Sequence, residues 1–453
     1  MYSFKKENSW RKLQSEYIQQ QRKETFLKKS SRFAIFLCVT AVLVAGGVYI
    51  AKQISGLNKT NVFSDSQPPA ETVATPPRLQ KQAVRALVRD IPVLNAIKDH
   101  FFTDTPSQTH TIRTQLDTRL QESLIPVLDR LKTLTRGKPQ RIAMVAMDGK
   151  TGFIKAMAGF DLDNAKANPC VAADYPAASI FKIVTAAAAV DAKGYTPQTP
   201  LYFNGNKYTL YKRQITDKKN KYTSRVSLAS AFADSINPVF GKLGQLYLGR
   251  DLLNTYAHNF GFNQGPETDF DFPHAAFAVT ESDYHLAELG CGFNRDTLIS
   301  PIFGATMVTA VVNQGNILVP RLVDQIVTPE DDLVYKSKKE IYKTAIRPES
   351  AEAMSQIMKK TISRGTARKA FRGYSRDKVL STLIIGGKTG SLYNRQRTVK
   401  YDWFTGFGKQ KNGGKTLVVA VVVGHRKYIG TRASTHARNM LKTYFTPVAP
   451  SKK

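Results

Sequence analysis

Cysteine is scarce in this chain, with three in 453 residues. Cys38 lies inside an apolar run, where sulfur behaves as a small hydrophobe. Only Cys170 and Cys291 remain for a crosslink, so a scaffold built on disulfides is excluded, and whether that pair bonds stays open. The seven histidines (100, 110, 258, 274, 285, 425, 436) form no H-x-x-x-H or His/Cys cluster. No metal site and no cofactor is therefore expected. Acidic residues are also short, 35 Asp+Glu against 66 Lys+Arg, for a formal net charge of +31. A balance this basic points to nucleic acid, anionic lipid or an acidic polymer as partner. No internal repeat is found.

Long apolar runs are absent except for one. Residues 33–51, FAIFLCVTAVLVAGGVYIA, carry no charged side chain, a length suited to one helix across a bilayer core of ~30 Å. Residues 1–32 before it hold nine Lys/Arg against three Glu. The positive-inside rule then predicts a basic cytoplasmic head (1–32), a single-pass transmembrane signal anchor (33–51) and an extracytoplasmic, periplasmic remainder in the cell membrane. A cleaved signal peptide is the alternative, and the long basic head argues against it. The exported part holds 57 Lys/Arg against 32 Asp/Glu. Anionic envelope polymers, phospholipid heads and carboxylate-bearing peptides are its expected partners, and nucleic acid is not.

Hydrophobic residues make up 42% of the chain, enough for a sizeable core. Residues 52–107 read as a stalk or linker region: 58–78 are rich in Pro, Ser and Thr, and 79–101 have the pattern of an amphipathic helix interrupted by Pro92. A folded domain is expected over 108–448. It begins with a short strand at His110–Gln115 and a helix at Asp117–Leu134. Residues 142–159 read as a hairpin around an Asp-Gly turn. From 174 to 370 the patterning is mostly helical. Strands return at 381–392, 401–408 and 416–425, and a helix closes the domain at 435–445. The predicted fold class is α/β (α+β): an antiparallel sheet of about five strands flanked by helices, with an all-helical insertion, preceded by the transmembrane helix.

Three short motifs carry the chemistry: Ser179-Ile-Phe-Lys182, Ser235-Ile-Asn237 and Lys388-Thr389-Gly390. Residues three apart share one face of a helix, so a hydroxyl and an amine can touch. An amine deprived of water has a lowered pKa and can activate such a hydroxyl as a nucleophile. S-x-x-K also occurs at Ser3–Lys6 and Ser375–Lys378, and K-T-G at Lys150–Gly152. Only Ser179 opens a buried apolar run, Ile180 to Val190. Lys150–Gly152 falls in the first hairpin turn and precedes the serine, and reads as structural. Lys388–Gly390 follows two glycines and an apolar strand, which allows close backbone approach to a ligand.

The ordered trio resembles the transpeptidase domain of penicillin-binding proteins, and is most similar to the class A type. TIRTQLDTRLQ (111–121), the 142–159 hairpin, YPAASIFK (175–182), SRGTARKAF (363–371) and DWFTGF (402–407) extend the resemblance over about 108–448. It implies a penicillin-binding/β-lactamase-like fold. It also implies that Ser179 is acylated, that Lys182 takes its proton and that Ser235 relays it, while Asn237 holds a substrate amide. Lys388 and Thr389, with Gly390 and Ser391 beside them, would bind the terminal D-Ala carboxylate. The oxyanion would lie between the N–H groups of Ser179 and Ser391. Peptidoglycan stem peptides and β-lactams are the implied ligands. Residues 52–107 are too few for a glycosyltransferase domain, so a partner glycosyltransferase is expected.

Two departures stand out: Ala178 where many members have Gly, and Ser391 where the class A type usually has Thr. The reading from the residues leaves a D,D-carboxypeptidase open, and a non-catalytic penicillin-binding sensor or scaffold of the cell-wall machinery. A β-lactamase is disfavoured, because Arg250-Asp-Leu-Leu-Asn254 puts arginine where a deacylating glutamate would stand.

Overall fold

The computed structural model describes residues 79–105, 108–280 and 282–447. Its centre is a five-stranded sheet of β1 (Pro139–Asp148), β2 (Ile154–Asp161), β3 (Leu383–Tyr393), β4 (Lys400–Gln410) and β5 (Thr416–His425). The order is β3-β4-β5-β1-β2, antiparallel throughout. Period-two geometry divides the apolar runs between two faces. Ala143, Val145, Met147, Val418, Ala420 and Val422 enter one core. Ile142, Met144, Ala146, Leu417, Val419, Val421 and Val423 enter the other. Because both faces are covered, β1 and β5 read as continuous apolar runs rather than alternating ones.

Helices cover the two faces. On one side lie α1 (Thr118–Thr133) and the last helix, α5 (Ala433–Phe445). Asp117 caps α1 by accepting from the Leu120 N–H at 2.8 Å, a contact worth about 1 kcal/mol. On the other side lie α2 (Lys182–Lys193), α3 (Pro301–Val312) and α4 (Pro348–Ser363). Every residue of α2 from Lys182 to Val190 is buried. A helix apolar all round has no solvent face, so it belongs in the middle of a domain. Gly194, at φ 67, ends it in the left-handed conformation.

Several expectations are corrected here. Among the described residues no helix is long and apolar enough to cross a membrane. The run at 33–51 lies outside the described residues, as does the basic head, so the transmembrane helix is removed from the fold class. The single-pass topology and the localisation built on it are withdrawn with it. The insertion is not all helical. Pro200–Phe203 pairs with Ser224–Ser227, Asn316–Leu318 pairs with Ile341–Thr344, and a four-stranded sheet joins His100–Asp104, Thr109–Thr114, Val323–Val327 and Leu333–Lys336. Residues 79–101 are helical only at Lys81–Val88, whose Val84 and Val88 are buried. His100–Asp104 is strand because it completes that second sheet beside Thr109–Thr114. Cys170 and Cys291 are both free and buried.

Two buried histidines join the end of β5 to α5. Burial, then the charges of Arg432 and Lys400, pushes His425 down to about 4. Burial and the neighbouring His425 push His436 down to about 4. Unfolded histidine titrates near ~6.5, so the unfolded chain binds more protons between that value and about 4. These two groups therefore remove stability as pH falls through that window. The variant His425→Gln/His436→Gln should show a smaller loss of denaturation midpoint between pH 7 and pH 5 than the parent. An equal loss in both proteins would contradict the assignment.

Candidate active site

Ser179 stands where a short 3₁₀ turn, Ala178–Phe181, runs into α2. Ala178 is held at φ 49, in the left-handed region that costs an alanine of order 1 kcal/mol. Two glycines hold the turn in place. A Cβ on Gly292 would lie 1.9 Å from the Ala178 carbonyl oxygen, and one on Gly390 would lie 3.3 Å from Ala178 Cβ and from Ser179 N. The turn is thus pressed between the end of the Asp283–Cys291 helix and β3. Trp403 Nε1 on β4 donates to Pro176 O at 3.0 Å and fixes the approach to it.

Lys182, one turn beyond Ser179, is fully buried. Its Nζ donates to Ser179 Oγ at 2.8 Å, Asn237 Oδ1 at 2.9 Å and the Cys291 carbonyl at 2.5 Å. Burial lowers its pKa to about 8. The adjacent Cys291 thiol is itself pushed up to about 11 by burial, so at neutral pH it offers no negative charge to hold the ammonium. The three acceptors use all three ammonium hydrogens. Loss of one proton lets the Ser179 bond reverse, with the hydroxyl donating to a neutral amine.

Lys388 on β3 is also fully buried, and donates to Ser235 Oγ at 3.0 Å and to the Thr389 carbonyl at 2.7 Å. Burial, reinforced by the charge of Lys182, holds it well below the ordinary lysine value. Ser235 sits at φ 57 between two helices. Its neighbour Asn237 is anchored from outside, its N–H donating to Lys207 O at 2.8 Å and its Nδ2 to Tyr208 O at 2.9 Å. Both serines therefore face a lysine. The arrangement can deprotonate one hydroxyl, carry a proton across the other, and present cationic and hydroxyl groups to a carboxylate.

All eight residues anticipated from the motifs meet here. Ser179, Ser235, Asn237, Thr389, Gly390 and Ser391 line one cleft of about 1010 Å³, and Lys182 and Lys388 lie bonded beneath its floor. The second K-T-G does not take part. Lys150 and Thr151 donate their backbone N–H groups to Asp148 Oδ1 in the β1–β2 turn. Ser375–Lys378 lies in a surface turn of the chain beyond α4, and Ser3–Lys6 falls outside the described residues. Sequence reasoning missed Thr366, whose hydroxyl bonds Thr389 Oγ1 at 2.5 Å, although the quoted 363–371 stretch contains it. It also missed the Cys291 carbonyl, for which no side-chain signal exists. Lys369, Lys400, Asp402 and Arg432 extend the cleft wall.

Residues 142–442 match the family described as the penicillin binding protein transpeptidase domain. The chain belongs to this family. Among curated relatives, the stage V sporulation protein D of Bacillus subtilis is 24% identical over 63% of this chain and 45% of its own length. Peptidoglycan D,D-transpeptidase PbpA of Mycolicibacterium smegmatis is 26% identical over 56% of this chain and 51% of its own. The chain thus spans about half the length of the curated relatives it matches. Among solved structures, penicillin-binding protein A of M. tuberculosis, as an imipenem acyl-enzyme, aligns at TM-score 0.60, with 21% identity over 74% of this chain and 79% of that one. The D,D-transpeptidase domain of a peptidoglycan glycosyltransferase from Eggerthella lenta gives 0.58, with 23% identity over 74% and 82%. These likenesses establish the fold and do not distinguish class A from class B.

Two outcomes follow from the geometry. Acylation by a penicillin, followed by stopped flow, should accelerate as pH rises towards about 8 and then level off, because neutral Lys182 is the active form. A rate flat from pH 6 to 9 would remove Lys182 as the base. Gly292→Ala should slow acylation by about tenfold or more and lower the melting temperature, since the displaced turn and strained φ cost roughly 1–3 kcal/mol.

Proposed function

We propose that this protein is a serine D,D-transpeptidase that cross-links peptidoglycan stem peptides through an acyl-enzyme on Ser179. The observation that carries the reading is the 2.8 Å contact between Ser179 Oγ and a buried Lys182 with a lowered pKa. Neutral Lys182 takes the hydroxyl proton as Oγ attacks the carbonyl of the penultimate D-Ala. The developing oxyanion lies between the N–H groups of Ser179 and Ser391, fixed donors of the kind worth about 3 kcal/mol each. Ser235, held by Lys388, passes a proton to the departing D-Ala amine. Asn237 orients the peptide amide, and Lys388, Thr389 and Ser391 hold the terminal carboxylate at the Gly390 edge. An amine of a second stem peptide then attacks the acyl carbonyl and regenerates Ser179.

That reaction makes no glycan bond, so a glycosyltransferase partner would supply the polymerised strands it consumes. Kinship to the class A type is part of the same proposal, and rests on YPAASIFK and SRGTARKAF.

Labelling with a fluorescent penicillin should mark the protein at Ser179, and Ser179→Ala should abolish the label while leaving the fold intact by circular dichroism. With a stem-pentapeptide mimic and an added amine, the product should be the amine adduct. Hydrolysis that amine cannot divert would instead assign a D,D-carboxypeptidase. A protein that stays unlabelled would leave only a binding module.

A further inference from the structure

Between the paired strands Pro200–Phe203 and Ser224–Ser227 the chain makes a twenty-residue excursion, residues 204–223. Loops of this length in a compact domain are uncommon, and ordered ones usually carry function. This one is ordered. Gln214 is buried and donates to the carbonyls of Asn204 (2.9 Å) and Asn206 (3.2 Å), while its Oε1 accepts from Tyr211 N (2.9 Å). Asp217 ties the far side to the body, accepting from Lys242 Nζ at 3.0 Å and from the Tyr247 hydroxyl at 2.5 Å.

Its composition does not suit a packing role. It contains six cations and one carboxylate, with tyrosines at 208, 211 and 222 that are 56%, 52% and 74% exposed. Among the described residues, Lys207 is the one of these cations within ion-pair distance of a carboxylate, that of Asp234. Four others lie near rings: Lys219 is 3.8 Å from the Tyr202 centroid, Lys221 5.1 Å from Tyr222, Arg213 5.4 Å from Tyr211 and Lys212 5.9 Å from Tyr284. Exposed rings flanked by cations offer an apolar face and a positive edge together. The excursion also adjoins the site. Tyr208 lines the cleft, and the Lys207 and Tyr208 carbonyls hold Asn237.

We propose that residues 204–223 form a docking surface for a carboxylate-bearing glycan strand, the one whose stem peptide occupies the adjoining cleft. This rests on the transpeptidase reading and adds to it a binding surface outside the reacting centre. Pyranose rings have apolar C–H faces that can rest on Tyr211 and Tyr222, and the free carboxylates of neighbouring stems meet Lys218, Lys219 and Lys221. Charge complementarity and continuity with the cleft favour this occupant over a lipid surface.

The test compares soluble uncross-linked glycan strands bearing pentapeptide stems with the isolated pentapeptide, using full-length Ser179→Ala so that nothing is consumed. Strands should bind about tenfold tighter, about 1.4 kcal/mol, and added salt should erode the difference. In the same background Lys219→Gln/Lys221→Gln/Tyr222→Ala should bring strand affinity down to that of the pentapeptide. With Ser179 restored, that variant should still be acylated by penicillin at the parent rate. Equal affinity of the parent for strand and pentapeptide overturns the proposal, even if the variant does not fold. So does a variant that binds strands normally, or phosphatidylglycerol vesicles that bind through these residues while strands do not. Failure of penicillin to acylate the parent would strike the transpeptidase reading instead.

Discussion

Two primary amines lie buried in the centre of this fold, and among the described residues neither is bonded to a carboxylate. Lys182 and Lys388 are fully buried, and they donate to hydroxyls, carbonyls and one amide oxygen. Burying a charge without a counterion is among the most costly things a fold can do. The usual remedy, an aspartate or glutamate within reach, would stabilise the ammonium and end its usefulness as a base. The site withholds that remedy. The rest of the structure must therefore supply the stability that these two groups remove, and the sheet, covered on both faces, and the buried, largely apolar run Ile183 to Val190 of α2 contribute to it.

The same constraint explains the local backbone. Ser179 meets Lys182 at 2.8 Å directly after a turn that leaves the ordinary dihedrals at Ala178. Ala178 at φ 49 and Ser235 at φ 57 are both non-glycine residues in the left-handed region; the first precedes Ser179 and the second carries the hydroxyl that meets Lys388. Strain of this kind persists only where neighbours enforce it. For Ala178 the enforcing neighbours are Gly292 and Gly390, whose missing side chains let two backbones close on the turn. β3 carries Lys388, Thr389 and Gly390 in unbroken pairing with β4, Lys388 opposite Thr405 and Gly390 opposite Trp403. The motif is thus as rigid as the sheet.

The reactive residues were legible because each belongs to a short pattern whose geometry is local. Three residues along a helix place Ser179 and Lys182 on one face, and a run of apolar residues after them implies burial. The hairpin at 142–159, the three closing strands and the last helix were legible for the same reason. What could not be read is what forms at a distance. The four-stranded sheet pairs Thr109–Thr114 with Val323–Val327, some two hundred residues apart, and neither segment advertises the other. Thr366 meets Thr389 only because the segment after α4 passes across β3. The Cys291 carbonyl is a backbone group and leaves no trace in composition. The membrane expectation rested on residues 1–51 alone, and nothing in the described fold supports it.

The two lysines also divide the labour in a way that neither motif shows by itself. The charge of Lys182 lowers the affinity of Lys388 for a proton, since two ammonium groups in one buried site repel. Lys182 is surrounded by three acceptors, whereas Lys388 meets one hydroxyl and one carbonyl. A proton passed from Ser179 to a neutral Lys182 would restore charge at an amine whose acceptors already stand in place. On the proposed reading the substrate carboxylate lies beside Thr389, and a negative charge there favours an ammonium on Lys388. Two ammonium groups in one buried site repel, so that charge in turn favours the neutral amine at Lys182 to which Ser179 can pass its proton.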